Sequence, residues 1–325
     1  MQMPRGRTDE VMKELSIDPA SVASQIEDFI CREVERFKRD GAILGLSGGI
    51  DSAVVAALAA RALGPGKVLA LIMPELDSAP ESKRDALSLA RKLGIKCKTV
   101  GLTKILLPIG VYGRIPLWLL GLRHLKERMV RRYYEGFSEE LGKYETPFAA
   151  IMVGTRGVRG PWLNQAVAYH RVKVRLRMVL LYYYAELENL LVVGTCNKTE
   201  KAVGFFVKYG DAAADVAPLE SLYKTQVRQL AAFLDIPEAI RLKPPSPDLL
   251  PGISDEYALG LDYVTLDRIL WRLERGMDAE DIAAKVGVEP GLVRYAEELR
   301  RRSEHMRVPP NTIALVGAQH AAPLE

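Results

Sequence analysis

The string Ser47-Gly48-Gly49-Ile50-Asp51-Ser52 stands between an apolar run, Ala42 to Leu46, and an alanine-rich amphipathic stretch, Ala53 to Leu63, that Gly64-Pro65-Gly66 closes. That order reads as strand, tight loop, helix. Two glycines let the backbone bend and approach a ligand closely, and the first N–H groups of the new helix have no partner inside it, so an anion suits the loop. The lysine of G-x-x-x-x-G-K-[ST] is missing, which separates this pattern from the kinase and ATPase loop. A second carboxylate, Glu200, closes Gly194-Thr195-Cys196-Asn197-Lys198-Thr199-Glu200 after another apolar run. Asp51 and Glu200, together with phosphate oxygens, would satisfy a hard cation such as Mg²⁺. Taken singly, each acid also reads as an ordinary helix-capping residue. Further on, Phe205 to Asp215 and Tyr223-Lys224-Thr225 set lysines and aspartates on glycine- and alanine-rich backbone, the composition of a loop that closes on a polar ligand.

The elements that must position these groups alternate in type. Val68 to Pro74 is a short, wholly apolar run, Ser78 to Leu93 is predicted helical up to Gly94, Ile95 to Leu102 is a third strand, and Leu190 to Thr195 a fourth. This rhythm predicts an α/β fold: a doubly wound parallel sheet with helices on both faces and ligands beyond the carboxyl ends of its strands. Ile17 to Phe37 has helical spacing with Ser21 or Ser24 as cap. A helix from about Val172 to Leu187 is apolar almost all round, which places it at the buried centre. Lys224 to Leu234 is helical, a short helix begins at Ile236, Lys243 to Pro247 is extended because each proline disfavours helix before it, and Asp255 to Trp271 and Asp278 to Arg302 are further helices.

From 103 to 168 the rhythm is lost. Leu106 to Leu122 is apolar but broken by Pro and Gly, and Arg123 to Tyr134 is strongly basic. One reading is a helical excursion packed on its own domain or on a dimer mate. A second, less favoured, is an interfacial anchor or lid over 106–134, since Trp118 beside a run of Lys and Arg suits a membrane surface. Its short length and Arg114 argue against a membrane span. The expected organisation is one α/β domain over 1–307 that includes this excursion, with a loosely held tail over 308–325.

With 325 residues, a net charge of +4 and three widely spaced cysteines, Cys31, Cys97 and Cys196, the chain reads as a soluble globular protein. Nothing in the charge favours nucleic acid. The cysteines make neither a disulfide framework nor a zinc site, and Met1 to Glu14 lacks an apolar signal core, so the expected compartment is the cytoplasm.

Ser-Gly-Gly-x-Asp-Ser between strand and helix resembles the pyrophosphate loop of the N-type ATP pyrophosphatases, with their adenine nucleotide alpha hydrolase-like fold. The ordered set of Ser-Gly-Gly-Ile-Asp-Ser, Val-Arg-Leu-Arg-Met, Gly-Thr-x-Asn-Lys-x-Glu, Lys-Tyr-Gly-Asp, Tyr-Lys-Thr-Gln-Val, Lys-Pro-Pro-Ser-x-x-Leu and Ser-Asp-Glu-x-x-Leu-Gly resembles, more narrowly, the ammonia-dependent NAD synthetases. The resemblance implies that ATP is held by Gly45, Leu46, Ser47, Gly48, Gly49, Ile50, Asp51, Ser52, Thr195, Lys224 and Ser246. It further implies Mg²⁺ on Asp51 and Glu200, and deamido-NAD contacted by Arg175, Lys208, Asp215 and His305. Asp51 and Lys224 would carry the catalysis: the nicotinate carboxylate attacks the α-phosphorus, pyrophosphate leaves and ammonia displaces AMP. A homodimer is implied too, with ammonia taken free or from a separate glutaminase. The chain departs from the family pattern at Arg171, Ala212, Ala213 and Met306, where Asn, two glycines and Lys are typical. All four lie toward the dinucleotide, so two other readings stand beside the first. One is a relative that adenylates a different acid, the other a nucleotide-binding or membrane-associated protein without turnover.

Overall fold

The computed structural model describes residues 14–114, 123–141, 143–150, 152, 161–246, 252–310 and 312. Four strands, β1 (Gly41–Gly45), β2 (Val68–Ile72), β3 (Lys96–Thr99) and β4 (Leu190–Val192), pair in parallel in the order β3-β2-β1-β4. Ala42 faces Val68 on one side and Leu191 on the other, and Leu69 faces Lys96. Successive strand residues point to opposite faces. Ala42, Leu44, Val68, Ala70, Ile72 and Leu191 therefore enter one buried core, while Ile43, Leu69, Leu71, Leu190 and Val192 enter another. Both faces are covered, which is why the strands are apolar runs rather than alternating ones. The outer strand β3 is exposed and carries Lys96 and Lys98, charges that guard a free edge.

The first core is filled by α1 (Pro19–Arg36), α2 (Ile50–Leu63) and α3 (Pro80–Leu93). Ala23, Ile26, Ile30 and Val34 repeat every three or four residues and give α1 its buried face. Its cap is Asp18, not Ser21 or Ser24: Asp18 Oδ1 accepts from the Ala20 and Ser21 N–H groups, and Pro19 fills the first helical position.

Across the sheet lie α4 (Arg123–Leu141), within the excursion, and α5 (Pro161–Leu187), which begins within it. The helix predicted from Val172 begins eleven residues earlier and is not buried all round. One side packs on β1 and β4, while Val179, Tyr183 and Leu187 are 54%, 58% and 63% exposed. The described part of the excursion lies against the protein itself. The Tyr134 hydroxyl donates to Ala258 O (3.0 Å), Arg131 to Gly252 O (3.4 Å), and Thr146 meets the Tyr295 hydroxyl at 3.0 Å. The apolar run containing Trp118 falls largely outside the described residues. Among those described, no helix is long and apolar enough to cross a membrane.

A third core lies in the C-terminal half, between α6 (Lys198–Val203), α8 (Asp255–Leu259), α9 (Tyr263–Leu273), α10 (Ala279–Val286), α11 (Pro290–Arg302) and α12 (Glu304–Arg307), while α7 (Lys224–Phe233) sends Val227, Leu230 and Ala231 into the first core. The two long helices predicted here are each split, at Gly260 (φ 70°) and Gly287 (φ 82°), where positive φ ends a helix. This helical block faces the carboxyl end of the sheet.

Candidate active site

β1 runs into Leu46 to Gly49 and straight on into α2. Gly48 has φ +82°, and a Cβ there would stand 2.3 Å from the Ser82 carbonyl, so both backbone angle and space require glycine. The hydroxyls stabilise the bend. Ser52 Oγ accepts from Ser47 N–H (3.2 Å) and donates to Gly49 O (3.0 Å), while Ser47 Oγ accepts from Gly49 N–H (3.2 Å). The N-cap of α2 is Gly49, with no side-chain cap, which leaves the leading amides for a ligand.

Asp51 is therefore not a cap; it turns to the site. Its Oδ1 accepts from Asn197 Nδ2 (2.9 Å) and its Oδ2 from Lys224 Nζ (2.6 Å). Glu200 does two things at once. Asn197 and Glu200 form a reciprocal capping box at the start of α6, using Glu200 Oε2, while Oε1 accepts from Lys224 Nζ at 3.1 Å. The plain capping reading and the site reading of Glu200 both hold, one oxygen each.

Lys224 is 2% exposed. Burial works against its charge, but Asp51 and Glu200 outweigh it and hold its pKa above the ordinary lysine value. Burial pushes the Glu200 carboxyl up to about 8, against the pull of Lys224. The backbone beneath is fixed: Lys224 N–H donates to Thr199 Oγ1 (2.9 Å), Thr199 Oγ1 donates to Asp267 Oδ1 (2.5 Å), and Asp267 Oδ2 accepts from Thr225 N–H (2.8 Å). Asp267 is fully buried, and that burial raises its pKa to about 6.

These groups border a cavity of about 640 Å³. Gly45 to Ser52, Thr195, Glu200, Lys224 and Ser246 all line it, together with Met73, Arg177, Lys243 and Asp255. Every residue expected to hold ATP or metal is thus gathered on one cavity. Arg175, Lys208, Asp215 and His305 are not among its lining residues. Three of them form a separate group: Arg175 donates to Lys208 O (3.4 Å), and Lys208 Nζ donates to His305 O (2.8 Å) and Val308 O (2.9 Å). Asp215 sits at the sheet, its Oδ2 accepting from Val192 N–H (2.8 Å) and its Oδ1 from the Tyr182 hydroxyl (3.2 Å). Cys196 lines the cavity, but burial and neighbouring acids push its thiol well above the ordinary range, so it is no nucleophile.

Asp51 and Glu200 offer hard oxygens fit for Mg²⁺. Among the described residues no three acidic, His or Cys side chains are close enough together to hold an ion. The Lys224 ammonium bonds both carboxylates, and Asp255 Oδ1, buried at the same cavity, has no hydrogen-bond partner among the described residues. Two carboxylates on one cavity would suit a divalent cation that phosphate oxygens also hold.

Sequence reasoning passed over a buried ion cluster. Lys173 Nζ, fully buried on α5, donates to Glu75 Oε1 (3.1 Å) and Asp77 Oδ2 (2.9 Å); Glu75 Oε2 accepts from the Tyr112 hydroxyl (2.8 Å), and Asp77 Oδ2 accepts from the Tyr169 hydroxyl as well. The cluster pins the segment after β2, whose Met73, Pro74 and Ser78 line the cavity. Glu75 and Asp77 follow the carboxyl end of a strand, and that position was the available signal.

Fold and site together define a doubly wound α/β protein, with a glycine-bent strand-to-helix loop and an acid–lysine–acid cluster at the carboxyl edge of its sheet. The NAD synthase family model matches residues 22–110 and 154–310, and the chain belongs to that family. The NH(3)-dependent NAD(+) synthetase of Coprothermobacter proteolyticus is 45% identical over 258 residues, 79% of this chain and 86% of that protein. Two solved structures superpose over 92% of this chain and 100% of their own. They are NMN synthetase from Francisella tularensis (27% identical, TM-score 0.66) and NH3-dependent NAD synthetase from Campylobacter jejuni in complex with the nitrate ion (25%, TM-score 0.62).

Proposed function

We propose that this chain amidates deamido-NAD to NAD with ammonia, using ATP and Mg²⁺, as a cytoplasmic homodimer. A nicotinate carboxylate oxygen attacks the α-phosphorus of ATP, the bond to the bridging oxygen breaks, and pyrophosphate departs. Ammonia then adds to the acyl carbon, AMP leaves and a proton is lost. Lys224 is placed to neutralise the departing pyrophosphate, and the Gly48–Ser52 amides to hold its oxygens. Magnesium on Asp51 and Glu200 would neutralise triphosphate charge. Arg175, Lys208, Asp215 and His305 are proposed to contact the dinucleotide, and their place outside the cavity suits a substrate that runs on from it toward a partner subunit. The exposed apolar residues of α5 support the dimer. The observation that carries this reading is the convergence of phosphate loop, acid pair and Lys224 on one cavity in a chain of this family.

The departures near the substrate favour one further reading, the same chemistry on a different nicotinate nucleotide, in keeping with the likeness to an NMN synthetase. Ala212 and Ala213 are not among the residues with positive φ, so no backbone penalty attends the lost glycines. Met306 is buried, and Arg171 stands beside Arg175. Exchange of labelled pyrophosphate into ATP, without ammonia, reports the adenylating half-reaction. Exchange with deamido-NAD is the expected result; exchange only with nicotinate mononucleotide favours the second reading, and none with either refutes both.

A further inference from the structure

Around Lys224 three carboxylates meet one ammonium, and only two of them use it. Asp255, at the start of α8, is 5% exposed and lines the same cavity. Its Oδ2 accepts from the Tyr263 hydroxyl (3.0 Å) and its N–H donates to Pro245 O (2.9 Å), which ties it to the loop bearing Ser246. Its Oδ1 is buried with no hydrogen-bond partner among the described residues. Leaving a buried acceptor unpaired is costly, the more so when it is charged, so such an atom points to a partner gained in another state of the site. Lys224 is at hand: its Nζ lies 4.9 Å from the centroid of the same Tyr263 ring whose hydroxyl holds Asp255.

We infer that Asp255 is the acceptor to which the Lys224 ammonium moves when a divalent cation takes Asp51 and Glu200. This rests on the metal assignment proposed above. As placed, the ammonium bonds an oxygen of each carboxylate, so a cation can engage the pair only if the ammonium withdraws. Withdrawing a buried ammonium from its counter-ions is strongly unfavourable unless another anion receives it. Asp255 offers a buried oxygen for that purpose on the same cavity. Lysine suits such a move, because a flexible stem carries three donors while the Lys224 backbone stays tied to Thr199 Oγ1. After the shift, donors remain for phosphate oxygens. Asp255 is thus a positioning residue.

Mn²⁺ titration followed by electron paramagnetic resonance, on the full chain with a non-hydrolysable ATP analogue, tests this. Asp255→Asn should weaken Mn²⁺ binding by about tenfold or more, the scale on which groups behind metal ligands act. Asp255→Glu, which keeps the acceptor, should recover most of it. Lys224→Met removes the ammonium whose move is proposed, so within that background adding Asp255→Asn should lower Mn²⁺ affinity no further, whatever the Lys224 change itself does to nucleotide binding. Parental affinity in Asp255→Asn overturns the inference. So does a loss that persists in the Lys224→Met background, which would make Asp255 a direct ligand. Asp51→Asn in the same titration checks the metal assignment separately: undiminished Mn²⁺ binding there refutes that assignment.

Discussion

Asp51 takes one hydrogen bond from Asn197 and one from Lys224, leaving it oriented across the cavity toward the starts of α6 and α7 rather than toward its own helix. Asp51→Asn keeps the shape and removes the charge. Pyrophosphate formation should fall by about 100-fold or more, as for loss of a preorganised electrostatic group, and retained turnover would remove Asp51 from the mechanism. Glu200 gives a pH signature. Burial raises the proton affinity of its carboxyl above the ordinary carboxylate range, so in the absence of metal a proton competes for it as the pH falls. A cation must displace that proton, and the apparent Mg²⁺ affinity should rise from pH 6 to 8 and level off above it. A flat profile would contradict that role. At this scale the sequence was informative where a residue belongs to a short local pattern, as with Ser47 to Ser52. It was silent on Asp255, Asp267 and Lys173, whose roles depend on groups brought from elsewhere in the chain.

At the scale of elements, the phosphate loop depends on α3 as much as on its own glycines. The Ser82 carbonyl at the first turn of α3 fills the space where a Gly48 side chain would go. Gly48→Ala should therefore weaken ATP binding by about tenfold or more while the far-ultraviolet circular dichroism stays parental, because the amide cradle is distorted and not the helix. The segment after β2 is held by Lys173. Lys173→Met would leave Glu75 and Asp77 facing each other without a counter-ion, and chemical denaturation should show a loss of about 3–5 kcal/mol. A loss under about 1 kcal/mol would mean that the cluster is not a buried charge network. The parallel, doubly wound sheet was legible because β1, β2 and β4 are short unbroken apolar runs buried on both faces; β3, exposed as Lys96-Cys97-Lys98-Thr99, was marked by its place after a helix rather than by apolarity. Ends were less so: Asp18 takes the cap from Ser21 because Pro19 fits the first helical position, and Gly260 and Gly287 divide patterns that periodicity alone joins.

For the whole molecule, α5 is the telling element. Its uniform hydrophobicity reads as burial, yet Val179, Tyr183 and Leu187 are more than half exposed while the opposite side packs on β1 and β4. Those exposed apolar residues are what the proposed dimer would cover, and a pattern within one chain cannot tell such a surface from a buried one. Sedimentation should find a dimer at micromolar concentration, and Val179→Asp combined with Tyr183→Asp should return monomers. A monomeric parent chain would refute the proposed assembly. The excursion joins this scale too: α4 reaches Gly252 and Ala258 and brings Glu127 to the cavity. Loss of strand–helix rhythm marked the stretch as different without showing where it packs.

Product analysis of one reaction tests the central claim most directly. The chain is supplied with ATP, Mg²⁺, deamido-NAD and ¹⁵N-ammonium, and the products are separated and weighed by mass spectrometry. NAD carrying ¹⁵N in its carboxamide, with one AMP and one pyrophosphate for each NAD, is the expected outcome. ADP and phosphate in place of AMP and pyrophosphate, or no labelled amide from any nicotinate nucleotide, would contradict it.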